Sequence, residues 1–295
     1  MRRRSFLGLA ALAGGAAWLP GQASAWRETR MADAALAGLE SASGGRLGVA
    51  LRDGDGRLLA GWRADERFPM CSTFKSLLVA RVLADVDAGV LSLQQAVPVR
   101  AQDKVAYAPV VEPHIGGAIT VEALCAGTVS LSDNMAANLL LAQVGGPAGV
   151  TAWLRGIGDA DTRLDRTEPT LNLAIPGDPR DTTTPAAMTA SLRAVLSGTV
   201  LLPASRERLA GWLRDCRTGD ARIRAGIPAG WQVGDKTGTG QRNTANDVAV
   251  LRTPAGTTAF LAVYLTGADA LDDAGREGTI AAVARVMAGL AAPAR

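Results

Sequence analysis

The hydrophobic pattern changes texture twice along the chain. Residues Trp26 to Ser43 carry apolar side chains at helical spacing and stop at Gly44-Gly45, which predicts a helix. "RLGVALRD" and "RLLAGWRA" flank Gly54-Asp55-Gly56 and predict a β-hairpin. After Pro69 the texture becomes helical. Thr73 to Val86 is apolar nearly all round, which predicts a buried helix. "TVEALCAGTV" and "DNMAANLLLAQVGG" follow as two more, the second closed by Gly145. "TPAAMTASLRAVLSG" has Thr184 as its cap and Pro185 in its first turn, and "PASRERLAGWLRDCRTG" is another helix. Strand texture returns in "GWQVGDKTGTG", "NDVAVLRT" and "TTAFLAVYLT", before a closing helix in "GREGTIAAVARVMAGLAA". Strands at both ends thus surround a helical middle. The expected fold class is α/β of the α+β type. A mainly antiparallel sheet flanked by helices is built from residues 26–66 and 215–295, and an all-helical domain, 67–214, is inserted into it. Between Asp161 and Thr184 runs a stretch without periodicity, too long for an idle connection in a compact domain.

The ends and the charge narrow the setting. "MRRRSFLGLAALAGGAAWLPGQASA" has an arginine cluster, a short apolar run and small residues at Ala23 and Ala25. It reads as a secretory signal peptide, residues 1–25, of twin-arginine type, and predicts export to the periplasm. The net charge is +3. Loss of Arg2, Arg3 and Arg4 would bring the remainder to 3 − 3 = 0, so no basic surface for nucleic acid is expected. No other apolar run approaches transmembrane length. Nothing in the pattern calls for a membrane after signal removal or for an oligomer, so a monomer is expected. Three cysteines, Cys71, Cys125 and Cys216, lie far apart. One histidine, His114, lacks any neighbouring signal for a Ser-His-Asp triad or a zinc cluster, and no cofactor or metal is expected.

The cations carry the first chemical clue. Of 31 lysines and arginines only Lys75, Lys104 and Lys236 are lysine, in a chain whose default cation is arginine. Arginine stays protonated, whereas a buried lysine can give up its proton. In "FPMCSTFKSLL", Ser72 and Lys75 are three apart and share a helix face. A serine at a helix N-terminus beside a desolvated amine is an activated nucleophile that needs no histidine. "SLSDNMAAN" supplies Ser132-Asp133-Asn134, and "GDKTGTG" supplies Lys236-Thr237-Gly238 at the end of a strand, where Gly238 and Gly240 would let a substrate backbone lie close. Taken singly, these read equally well as helix caps and a strand end.

Together and in this order they resemble the serine β-lactamases and penicillin-binding proteins, whose signature set is S-x-x-K, S-D-N and K-T-G. The aperiodic stretch "RLDRTEPTLNLAIPGDPRDTTTP" resembles the Ω-loop of class A β-lactamases, here 163–181. That resemblance implies an acyl-enzyme on Ser72, with Lys75 and Ser132 passing protons to the leaving nitrogen. It implies deacylation by water held between Glu168, the general base, and Asn172. Lys236, Thr237, Gly238, Thr239 and Arg222 would hold the substrate carboxylate, Tyr107 and Asn134 would flank the rest of a small β-lactam, and the N–H groups of Ser72 and Thr239 would form the oxyanion hole. It further implies a cis peptide before Pro169 and loop braces Arg166–Asp181 and Arg163–Asp178. Where family members bridge Cys71 or Cys125, Gly240 and Val79 stand here, so no disulfide is expected. A D,D-peptidase and a non-hydrolytic β-lactam sensor share the nucleophile motif and remain alternatives.

Overall fold

A computed structural model describes residues 20–291, with side chains from residue 30. Most of the expected signal peptide, residues 1–19, lies outside the described residues. The N-terminal helix α1, Pro20–Ser43, begins six residues before its expected start. Ala23 and Ala25, read as processing-site residues, are also strong helix formers.

Five antiparallel strands form the central sheet: β1 Arg46–Asp53, β2 Leu58–Trp62, β3 Gln232–Gly240, β4 Thr244–Arg252 and β5 Thr258–Thr266. Their spatial order is β2-β1-β5-β4-β3, so the two chain ends meet where β1 pairs with β5. The register sets Thr237 opposite Asp247 and Thr239 opposite Ala245. One sheet face packs on α1 and the closing helix α9, Asp273–Ala291, through Leu36, Val263 and Met287. The other face meets the helical middle through Phe68, Phe260 and Tyr264.

That middle comprises α2 Phe74–Asp87, α3 Val121–Ser130, α4 Asn134–Gln143, α5 Gly146–Gly156, α6 Pro185–Leu196 and α7 Pro203–Arg214. Thr120, Asp133 and Thr184 cap α3, α4 and α6 through their side chains, the role their residue types favour. A short α8, Ile223–Gly226, follows α7. Helix α5 is absent from the pattern reading because Gly146, Pro147 and Gly149 look like a turn. Gly149 is needed there: a Cβ on it would lie 2.0 Å from the Val144 carbonyl oxygen. Among the described residues no helix is long and apolar enough to cross a membrane.

Candidate active site

Ser72 lies in a 3₁₀ turn, Cys71–Thr73, that runs directly into α2. Every residue of this turn is buried, and Cys71 has φ 47°, a conformation that costs an L-residue energy and turns the chain sharply into the helix. Strand β3 passes over the turn. A Cβ on Gly238 would lie 2.7 Å from the Met70 carbonyl oxygen, and one on Gly240 would lie 2.5 Å from the Cys71 sulfur and 2.9 Å from the Asn172 carbonyl oxygen. The glycines therefore admit the chain's own Ser72 turn. Asn246 of β4 ties the same turn down by donating to the Pro69 and Met70 carbonyls at 2.9 and 3.1 Å.

Six side chains converge within hydrogen-bonding distance. The Ser72 hydroxyl donates to Glu168 Oε1 at 3.2 Å, and Lys75 Nζ sits 3.0 Å from the same oxygen. Lys75 also donates to the Ser132 carbonyl at 2.8 Å, Asn134 Oδ1 at 2.6 Å and Ser132 Oγ at 3.4 Å. Lys236 Nζ donates to Ser132 Oγ at 3.1 Å, so the hydroxyl lies between two ammonium groups. Among the described residues Ser72 and Lys75 share no direct hydrogen bond; Glu168 links them. Both lysines are fully buried, against the default of a solvated lysine. Burial pushes the Lys75 pKa down, with Glu168 opposing. Burial also brings Lys236 down to about 8, with Lys75 pushing the same way.

Glu168 is held by its backbone and its side chain. The peptide to Pro169 is cis, as expected. Asn138 on α4 brackets it, accepting from the Glu168 N–H at 3.0 Å and donating to its carbonyl at 2.9 Å. Asn172 Nδ2 donates to Glu168 Oε2 at 2.5 Å. Arg166 pairs with Asp181 at 2.5 Å as expected. Arg163 does not reach Asp178. It pairs with Asp165 at 2.5 Å, and Asp178 pairs with Arg180 at 2.8 Å and Arg166 at 3.8 Å. In both local pairs a carboxylate two residues away in irregular chain satisfies the arginine more cheaply than a loop-spanning contact.

A cleft of about 280 Å³ opens above these groups, lined by Ser72, Tyr107, Ser132, Asn134, Asn172, Thr218, Arg222, Thr237 and Thr239. Tyr107, 57% exposed, forms its outer wall. Arg222 donates to the carbonyls of Gly238 and Asn246 at 2.9 Å and to Thr239 Oγ1 at 2.9 Å, and its Nε faces Glu277 at 3.3 Å. It thus lies behind β3, in reach of the cleft. Ala245 offers no such charge. Sequence reasoning missed Asn138 and Thr218 (2.5 Å from Thr237 Oγ1); Asp133 caps α4 through the Ala136 N–H as its residue type suggests, and also accepts from the N–H groups of Val110 and Val111. Cys71, Cys125 and Cys216 are free and buried. Among the described residues no cluster of His, Cys, Asp and Glu could hold a metal ion.

A family model described as the β-lactamase enzyme family matches residues 31–289. The chain is 49% identical over 251 residues to β-lactamase L2 of Stenotrophomonas maltophilia, covering 85% of this chain and 83% of that protein. It is 44% identical over 269 residues to β-lactamase CTX-M-8 of Citrobacter amalonaticus, covering 91% and 92%. Among solved structures, an ancestral class A β-lactamase superposes with a TM-score of 0.85 at 54% identity, over 88% of this chain and 99% of that one. A β-lactamase from Xanthomonas campestris gives 0.86 at 48% identity, over 89% and 98%.

Proposed function

The chain belongs to the class A β-lactamases, and from that premise we propose that it hydrolyses the β-lactam amide of penicillins and cephalosporins, the chemistry of antibiotic resistance. One observation carries the reading: Glu168 Oε1 accepts from the Ser72 hydroxyl and faces Lys75 at the same time. Ser72 Oγ attacks the lactam carbonyl and gives its proton to the adjoining Lys75–Glu168 pair, either member of which can take it. The carbonyl oxygen becomes an oxyanion between the N–H groups of Ser72 and Thr239, a preorganised contribution of about 10²–10³ in rate per donor. Ser132 passes its proton to the departing nitrogen. Its hydroxyl lies between Lys75 and Lys236, and Lys75 relays to it the proton given up by Ser72, which leaves Glu168 unprotonated for the next step.

Deacylation distinguishes a hydrolase from a trap. Glu168, with Asn172 beside it, takes a proton from water as that water attacks the ester carbonyl. Lys236, Thr237 and Thr239 hold the substrate carboxylate, Arg222 adds positive charge from behind, Gly238 lets β3 lie against the nucleophile turn, and Asn134 and Tyr107 flank the acylamino side. No step requires a cofactor. The enzyme acts as a periplasmic monomer after export by the twin-arginine route, with its cleft between the sheet domain, 26–66 and 215–295, and the helical domain, 67–214. Nitrocefin tests the reading. Steady-state turnover many times the enzyme concentration supports it. A single stoichiometric burst would favour a penicillin-binding protein or a sensor.

A further inference from the structure

A second cleft, about 510 Å³, lies beneath the Ω-loop and is larger than the active cleft. Its walls carry five arginines from separate segments: Arg46 on β1, Arg67 before the nucleophile turn, Arg166 and Arg180 on the Ω-loop, and Arg242 in the β3–β4 turn. Asp178 is the one acidic residue in the wall. Four of the arginines are already paired. Arg46 faces Glu66 at 3.2 Å, Arg67 faces Asp161 at 3.6 Å, Arg166 faces Asp181 and Arg180 faces Asp178. Arg242 has no acidic partner and no side-chain hydrogen bond among the described residues.

Its backbone makes that more telling. Arg242 has φ 55° and Asn243 has φ 49°, the consecutive left-handed pair of a tight hairpin turn. Asn243 suits such a turn and bonds Asp269 at 2.7 Å, but arginine is a costly choice where glycine or asparagine fits better. The turn also touches the catalytic loop, because the N–H of Gln241 donates to the Asn172 carbonyl at 2.9 Å. Leu171, Pro176 and Pro179 line the same cleft with apolar surface, while Arg242 itself is exposed at its rim and open to a ligand from solvent.

We propose that this cleft binds a compact polyanion, one with two or more carboxylate or phosphate groups, through Arg242, with Arg46, Arg67 and Arg180 exchanging their half-exposed ion pairs, each worth little in water, for the ligand. Guanidinium forks suit both kinds of oxyanion. A ligand reaching from Arg180 to Arg242 and Arg46 ties the Ω-loop to the sheet edge and holds it more firmly.

Isothermal titration calorimetry with citrate and, separately, sodium tripolyphosphate tests this and distinguishes carboxylate from phosphate. Both are run against sodium chloride at matched ionic strength. Saturable one-to-one binding of either anion is expected, with a rise in Tm that the chloride control lacks. Arg242→Gln should weaken it roughly tenfold or more, because a charge-assisted hydrogen bond is lost. Arg180→Gln should weaken it independently, should either variant fold poorly. Lys236→Met, which removes a cation from the active cleft, should leave it unchanged. Absence of saturable binding, equal affinity in Arg242→Gln and wild type, or loss in Lys236→Met instead would overturn the proposal.

Discussion

Lys236 gives the sharpest pH prediction. It is fully buried and its pKa lies near 8, against an ordinary 10.5, with burial the main cause and Lys75 adding to it. At pH 7 about nine-tenths of the molecules carry the charge that we propose holds the substrate carboxylate. At about pH 9 only about a tenth do, so kcat/KM should fall roughly tenfold per pH unit above 8. Lys236→Arg keeps its charge throughout and should lose this alkaline limb. Stability moves the other way. Because the folded pKa is depressed, the unfolded chain binds more protons between about pH 8 and about 10.5, and the contribution of this group to stability rises across that window. At about 1.4 kcal/mol per pH unit the gain amounts to about 3 kcal/mol. The assay is kcat/KM for nitrocefin from about pH 6 to about 10 in wild type and Lys236→Arg, with urea unfolding at the same pH values. A flat wild-type profile to pH 10, or an identical alkaline limb in both proteins, would refute the reasoning.

Three further outcomes follow from the site's geometry. Asn138→Ala leaves the Glu168 N–H and carbonyl without partners, and should cost about 2–4 kcal/mol in urea unfolding and slow deacylation more than acylation. Gly240→Ala places a methyl against the Cys71 sulfur and the Asn172 carbonyl, so Tm should fall by the equivalent of about 1–3 kcal/mol and deacylation should slow as Asn172 moves. Thiol titration should find no reactive cysteine in the folded protein and three in denaturant, since burial pushes all three thiols up.

The parts of this site that were legible in the sequence are those whose chemistry forces a rare residue into an unusual place. Lys75 and Lys236 stand out because arginine is the default cation, and their burial explains the choice. The sheet was readable because its strands are long and apolar, and Asp133 was readable as a cap though not as the acceptor for Val110 and Val111. Asn138 left no signal. It sits between leucines and alanines on α4, and its partner is 30 positions away, a distance that spacing alone does not encode. Arg163 pairs with Asp165, two residues along, where the family resemblance implies Asp178; the local path of the loop sets this contact and the motif does not encode it. The Gly238 and Gly240 contacts depend on how β3 crosses the turn at Cys71, which only the fold reveals.

The central claim is that Glu168 turns an acyl-enzyme into a hydrolase. Glu168→Gln keeps the shape of the side chain and its contact with Asn172 but removes the base. Intact-protein mass spectrometry after mixing this variant with benzylpenicillin, followed by peptide mapping, tests the claim directly. The account predicts a long-lived adduct of one penicillin mass on Ser72, absent from wild type at the same time point. Turnover by Glu168→Gln at the wild-type rate with no adduct, or an adduct on any residue other than Ser72, would contradict it.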